Sequence, residues 1–256
     1  MSLDNEIGVP CWFSLMTKDV AAANAFYQQL FQYSIEQFDM PGVGPADMYS
    51  AHGLTFANPV PLDENFEAPS HWIAYLAVAD VDAAAKAVTS LGGQVCHPPF
   101  DMPGIGRSAV VSDPSGAVFH LFTPAQAHEK ISVIGTEPGQ ISWLELIVKD
   151  TNTVLPFYSE LLQWSAKPAD IEGMNYFLCS AGESEMAGIM EQLPDMPDAP
   201  PSWVPYFNVE NIESSGKKAL ELGATSIMGP QAIPNVGHFH LIQDPTGALL
   251  TLFQAT

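Results

Sequence analysis

The residues with the clearest chemical capacity are few. Glu145 sits inside an apolar run from Trp143 to Val148. A carboxyl group in such a run is either tied down by hydrogen bonds or desolvated, and desolvation raises its pKa and makes it a general base. His120 lies in a second apolar run, Val118 to Phe122, as an acid–base group, a hydrogen-bond partner, a metal ligand or a structural histidine. His238 and His240 stand two residues apart. On a strand that spacing puts both on one face, as a substrate contact or as two-thirds of a metal site that needs a third ligand. Arg107 is the one arginine in the chain. Its guanidinium suits a substrate carboxylate or phosphate, or a surface carboxylate of the protein itself. No GxSxG elbow is present, and Pro103–Gly106 precedes a strand rather than a helix, so it is no phosphate loop.

Composition bounds the partners. The 256 residues include 29 acidic and 8 basic side chains, a formal charge of -21. Such a surface repels nucleic acid and anionic membranes. No apolar run reaches the ~18 residues of a membrane span, and Met1–Pro10 has neither the basic nor the apolar part of a signal peptide. Cys11, Cys96 and Cys179 form no CxxC and no zinc spacing, which fits a reducing cytoplasm.

These groups are positioned by a repeat. Shifted by 131 positions, Pro10–Phe122 falls on Ile141–Phe253 without a gap, with 29 of 113 positions identical. The matches include Trp12/Trp143, Lys18-Asp19/Lys149-Asp150, Phe26-Tyr27/Phe157-Tyr158, Trp72/Trp203, Tyr75/Tyr206 and the Asp-Pro-x-Gly-Ala runs at Asp113 and Asp244. Two domains are expected, 1–126 and 141–256, joined by a linker over 127–140. Each copy reads as an α+β unit. Trp12–Lys18 is a strand, Asp19 an N-cap, and Val20–Phe31 a helix by its apolar period. Gly42–Pro61 reads as short strands and turns, and Trp72–Val78 as a second strand. Asp80 or Asp82 caps a helix that runs to Leu91, and a hairpin turns at Asp113-Pro114-Ser115-Gly116. Each domain is thus two βαβββ units. Pro156 should kink the first helix of copy two or delay its start, and Met186–Pro201 and Ala57–Pro69 read as loops over the two domains.

This order of elements, with its Lys-Asp, Phe-Tyr, Leu-Gly and Asp-Pro-x-Gly signals repeated, resembles the vicinal oxygen chelate superfamily of glyoxalases, bleomycin-resistance proteins and extradiol dioxygenases. It is most similar to tandem two-domain glyoxalase-like (hydroxylase-like) proteins. The resemblance implies two domains with curved mixed sheets, helices outside, and a cup between βαβββ units. In metal-dependent members the cup holds a divalent ion such as Fe, Mn, Ni or Zn on His, Gln or Glu. Here the matching positions carry Trp12, Ile73 and His120 in copy one and Trp143, Val204 and Thr251 in copy two. A fourth falls within Ala57–Val60 and Gly188–Glu191, where Glu191 is the ligand-capable charge. Indole and branched aliphatic groups do not coordinate such ions.

The expectation is therefore a cup floored by aromatic rings that binds a small organic molecule without the metal. Strand alternation puts Trp12 with Ser14, and Trp143 with Glu145, on the cup face. The expected contacts are Trp12, Ser14, Trp143, Arg107, His238 and His240, with Glu145 or His120 as the group that would act on the ligand. Two alternatives remain: a metal-dependent lyase, isomerase or dioxygenase using His120, His238, His240, Glu145 or Glu191, and a structural protein whose cups are filled. Assembly is expected as a monomer with pseudo-dimeric domains or as a homodimer.

Overall fold

Asp19 begins the architecture. In a computed structural model of the chain, its carboxylate accepts the Ala22 amide at 2.9 Å and so caps α1 (Val20–Phe31), directly after strand β1 (Pro10–Thr17). The structure describes residues 6–40, 44–63, 65, 67–126, 131–171, 173–194, 196 and 198–256. Residues 1–5, Gly42, 127–130 of the expected linker, and Glu64, Phe66, Asp195 and Pro197 of the two expected loops lie outside them. The chain continues through β2 (Ser34–Met40), β3 (Gly44–Ala51), β4 (Leu54–Pro61) and β5 (His71–Ala77). Asp80 caps α2 (Val81–Ser90), and Gly92 follows at φ +90°, in the left-handed conformation that glycine adopts freely. Strands β6 (Gln94–Met102), β7 (Gly106–Ser112) and β8 (Val118–Pro124) complete the first copy.

The second copy repeats this order: β9 (Ile141–Val148), α3 (Thr151–Leu162), β10 (Ser165–Pro168), β11 (Tyr176–Ala181), β12 (Ser184–Glu191), β13 (Ser202–Asn208), α4 (Ile212–Glu221), β14 (Thr225–Ile233), β15 (Gly237–Gln243) and β16 (Leu249–Ala255). Each copy forms one eight-stranded sheet, in the orders β2-β3-β4-β1-β5-β8-β7-β6 and β10-β11-β12-β9-β13-β16-β15-β14. The sheets are mixed. β1 runs parallel to β4 and β5 parallel to β8, while the outer hairpins are antiparallel. Each copy is two βαβββ units with peripheral helices.

The repeat is not gapless. Helices and outer strands keep the offset of 131, but Leu54–Pro61 matches Ser184–Glu191 at 130. The slip follows from the register: Phe13 pairs with Ala57, while Leu144 pairs with Ala187. It moves the fourth family position, so that Ser14 faces Asn58 across β1/β4 and Glu145 faces Gly188 across β9/β12. Two expected loops also begin as strand: Ala57–Pro61 belongs to β4 and Met186–Glu191 to β12, with Met186 to Met190 buried. Their apolar residues face the core, which outweighs the proline and methionine content.

Pro156 does not delay α3. The helix starts at Thr151, with the Asp150 carboxylate accepting the Asn152 amide, and carries Pro156 inside it on an exposed face. A proline there removes one helical hydrogen bond and crowds the carbonyl four residues earlier. Pro156→Ala should therefore raise stability by about 2 kcal/mol in chemical denaturation. A loss of stability would show that the ring is needed where it sits.

Spatial proximity groups the chain differently from its sheets. One compact unit gathers the described residues of Met1–Trp12, Ala74–Ser132 and Leu144–Trp203. The other gathers Phe13–Ile73, Val133–Trp143 and Val204–Thr256. Each unit takes half of each copy, and a buried hydrogen-bond chain ties the two halves inside it. In the first unit Trp203 Nε1–H donates to Tyr158 Oη at 3.1 Å, and Tyr158 donates to Asp113 Oδ2 at 2.9 Å. In the second, Trp72 donates to Tyr27 at 3.0 Å and Tyr27 to Asp244 Oδ2 at 2.8 Å. The other oxygen of each aspartate holds its own turn. Asp113 Oδ1 accepts from Ser115 N and Oγ, Gly116 N and Ala117 N, and Asp244 Oδ1 from Thr246 N and Oγ1 and Ala248 N. Burial, and then the neighbouring aspartate, push both phenols well above the usual tyrosine pKa, so they stay protonated donors. The repeated Trp, Phe-Tyr and Asp-Pro-x-Gly signals are thus the staples of the two units.

Candidate functional site

Strands β1, β5 and β8 follow one another in the copy-one sheet, and the parts of them in the first unit carry Trp12, Tyr75 and His120. Phe13 and Leu15 are fully buried, whereas Trp12 is half-buried, so Trp12 belongs to the face opposite them. His120 pairs in register with Tyr75, and the two rings stack with centroids 4.1 Å apart and planes at 22°. Phe122, two residues on and so on the same face, meets Tyr75 edge-on at 6.1 Å. His120 is 9% exposed, and burial, with His97 adding a smaller repulsion, lowers its pKa to about 4.

The tautomer follows from its neighbour. Ser108 Oγ donates its one proton to the Leu121 carbonyl at 3.0 Å, so its 2.9 Å contact with His120 Nδ1 makes that nitrogen the donor. Nε2 then carries the lone pair. The group is a neutral, oriented acceptor among aromatic rings.

The same unit holds a second cluster on β9, β11 and β12. Glu145 is 2% exposed, and Tyr176 Oη donates to its Oε2 at 2.9 Å. Gly188 makes the room, since a Cβ there would collide with Tyr176 Oη and Glu145 Oε1. Copy one solves the same place the other way round, in the second unit: small Ser14, 1% exposed, donates to the larger Asn58 at 2.8 Å. Burial, and then the Glu145 charge, raise Cys179 to about 12, so its thiol stays protonated at neutral pH. Neither Tyr176 nor Gly188 stood out in the sequence. Comparing the copies with the one-residue slip would have set Gly188 against Asn58, the residue that Ser14 faces.

The other expected contacts are placed as follows. Trp143 is half-buried in the second unit. Arg107 is engaged by protein carboxylates, Asp82 through Nε at 2.6 Å and Nη2 at 2.9 Å and Asp101 through Nη1 at 2.8 Å, and these bonds lower the Asp82 pKa. His238 is exposed, whereas His240, 3% exposed, bonds Ser226 Oγ through Nε2 at 2.8 Å. Glu191 caps α3, accepting from Thr151 N and Oγ1 and from Asn175 Nδ2.

The family's metal does not fit this donor set. Ile73 and Val204 are buried hydrocarbon, Trp12 and Trp143 offer no lone pair, and His120 has one nitrogen already committed to Ser108. Among the described residues no three His, Cys, Asp or Glu side chains come together to hold an ion. Nor, among them, is any helix long and apolar enough to cross a membrane.

The comparisons with known proteins agree with the architecture. The profile of the Glyoxalase/Bleomycin resistance protein/Dioxygenase superfamily matches residues 11–121. CFP32 of Mycobacterium tuberculosis, whose name carries a provisional glyoxylase assignment, is 34% identical over 252 residues, covering 96% of this chain and 95% of its own. The anthracycline biosynthesis protein DauV of Streptomyces sp. is 31% identical over 254 residues, covering 94% and 91%. The chain belongs to this superfamily and has its tandem two-domain form. Among solved structures, the Mn(II)-bound glyoxalase from Novosphingobium aromaticivorans superposes with a TM-score of 0.65 at 17% identity, covering 97% of this chain and 82% of that one. The 2,2',3-trihydroxybiphenyl 1,2-dioxygenase from Sphingomonas wittichii gives 0.66 at 13%, covering 97% and 91%. At these identities the likeness is one of fold.

Proposed function

We propose that the protein binds a small planar organic molecule against the copy-one rings of Tyr75, His120 and Phe122, with Trp12 on the neighbouring strand, and without the family's divalent metal. The observation that carries this is the state of His120: neutral, stacked on Tyr75, and fixed through Ser108 so that Nε2 is an acceptor. A flat ring stacks on such rings, and a hydroxyl or N–H on it donates to Nε2. A pKa of about 4 makes His120 a weak base at pH 7, which favours binding over proton abstraction. The relatives lend support, since DauV is named for anthracycline biosynthesis and anthracyclines are planar fused-ring molecules. The copy-two pair of Glu145 and Tyr176 is the place where acid–base chemistry would be sought if turnover is found.

The test is calorimetric titration of the full chain with 1-naphthol as probe. Saturable binding is expected, weakened about tenfold by Trp12→Ala and by His120→Ala, as the loss of one stacking or hydrogen-bond contact implies. His238→Ala should leave it unchanged. No saturable binding, or affinity indifferent to Trp12 and His120, would remove the reading.

A further inference from the structure

The two copies differ most sharply under their second helices. In copy one, Ala85 on α2 and Ala109 on β7 are both buried. The positions 131 residues later are Gly216 on α4 and His240 on β15, and Ser226 takes the place of Val95. Copy two has therefore exchanged two buried alanines and an exposed valine for a helical glycine, a buried imidazole and its hydroxyl partner. The exchange is costly. Glycine inside a helix loses about 1 kcal/mol against alanine. Among the described residues the buried Nδ1 of His240 has no hydrogen-bond partner, its Nε2 being held by Ser226. Such an atom destabilises by about 1–3 kcal/mol. The glycine is required, since a Cβ at 216 would lie 2.6 Å from Nδ1.

A groove of about 460 Å³ opens at this place in the second unit, lined by His240 and Gly216, by apolar Ile212, Leu220 and Pro230, and by the charged side chains of Glu213, Lys217 and Glu221. That volume is within the range of small-molecule sites. Burial lowers the pKa of His240, against the opposing pull of Glu213, so the imidazole is neutral at pH 7. A neutral imidazole nitrogen bonds a hydroxyl in either tautomer, and Ile212, Leu220 and Pro230 suit an apolar ring.

We infer that the groove between α4 and strands β14 and β15 is a second ligand site, which takes a neutral aromatic alcohol with its hydroxyl on His240 Nδ1. Gly216 backbone covers that nitrogen, so the ligand enters as α4 shifts outward at the glycine. This site is separate from the Trp12–His120 face, and either can fail without the other.

The test follows the imidazole resonances of the isotope-labelled full chain while phenol is added. A saturable shift at His240 Nδ1 is expected, with exposed His238 unmoved. Gly216→Ala should weaken the phenol response about tenfold, because the added methyl must be displaced. The triple variant Gly216→Ala, Ser226→Val and His240→Ala returns these three positions to the residues of copy one. It should fold at least as stably as the natural chain and lose, in calorimetry, the phenol heat assigned to this groove. No saturable shift at His240 up to the solubility of phenol would overturn the inference. So would a triple variant that binds phenol unchanged, or that is less stable, since the imidazole would then serve the fold.

Discussion

Asp113→Ala is expected to cost about 4 kcal/mol of folding stability, among the largest effects of any single change in this chain. The carboxylate is buried and accepts five hydrogen bonds, four from its own Asp-Pro-Ser-Gly-Ala turn and one from Tyr158. Bonds to a charged acceptor contribute about 1.5–3 kcal/mol each, and water reaching the opened turn restores part of the loss. Removing the carboxylate also leaves the Tyr158 phenol, itself the acceptor for Trp203, without its own acceptor in the core. Tyr158→Phe should cost less, about 2 kcal/mol, because the turn survives. The Asp244 and Tyr27 variants should give similar values in the second unit, where four of the five bonds recur. Urea denaturation of the four variants measures this. A loss below about 1 kcal/mol for Asp113→Ala would mean that water replaces both the turn bonds and the Tyr158 bond, and that the aspartate is no staple.

The second large effect is on pH dependence. The folded protein keeps His120 neutral down to a pKa of about 4, against 6.5 in the unfolded chain. Below pH 6.5 the unfolded state binds a proton that the folded state does not, so stability falls with pH and the loss is complete near pH 4. A difference of that size corresponds to about 3 kcal/mol. Carboxylates titrate in the same range, and His240 is shifted in the same direction, so the comparison is with His120→Asn, which keeps a donor for Ser108. Between pH 7 and pH 4 the natural chain should lose about 3 kcal/mol more than this variant. Equal losses would show that His120 protonates freely in the folded protein, as an exposed imidazole would.

The sequence carries the fold because its signals are local. Asp19, Asp80 and Asp150 cap their helices from the adjacent residue, and Asp-Pro-x-Gly sets a turn within four positions. The one-residue slip lies where such signals are weak: Ser34 answers to Ser165 at the offset of 131, but Ser50 and Ala51 already answer to Ser180 and Ala181 at 130, and the residues between share little identity. The cross-copy staples were visible only as repeated residues. Nothing in a sequence says that Tyr27 meets Asp244 across 217 positions. The candidate site divides in the same way. The departure of Trp12, Ile73 and Val204 from a metal set is a property of residue type and needs no coordinates. The tautomer of His120 depends on a serine twelve residues away and a carbonyl behind it, and the partnership of Glu145 with Tyr176 depends on a glycine on the next strand.

Metal content is the most direct test of the account, because a metal-free aromatic face is its central claim. The full chain would be purified without chelator or metal-affinity tag, its Fe, Mn, Ni and Zn measured, and each ion titrated back by calorimetry. The account predicts substoichiometric metal, no binding heat, and 1-naphthol affinity unchanged by chelator. One equivalent of a divalent ion, lost in His120→Ala, would contradict it and place the protein with the metal-dependent members of its family.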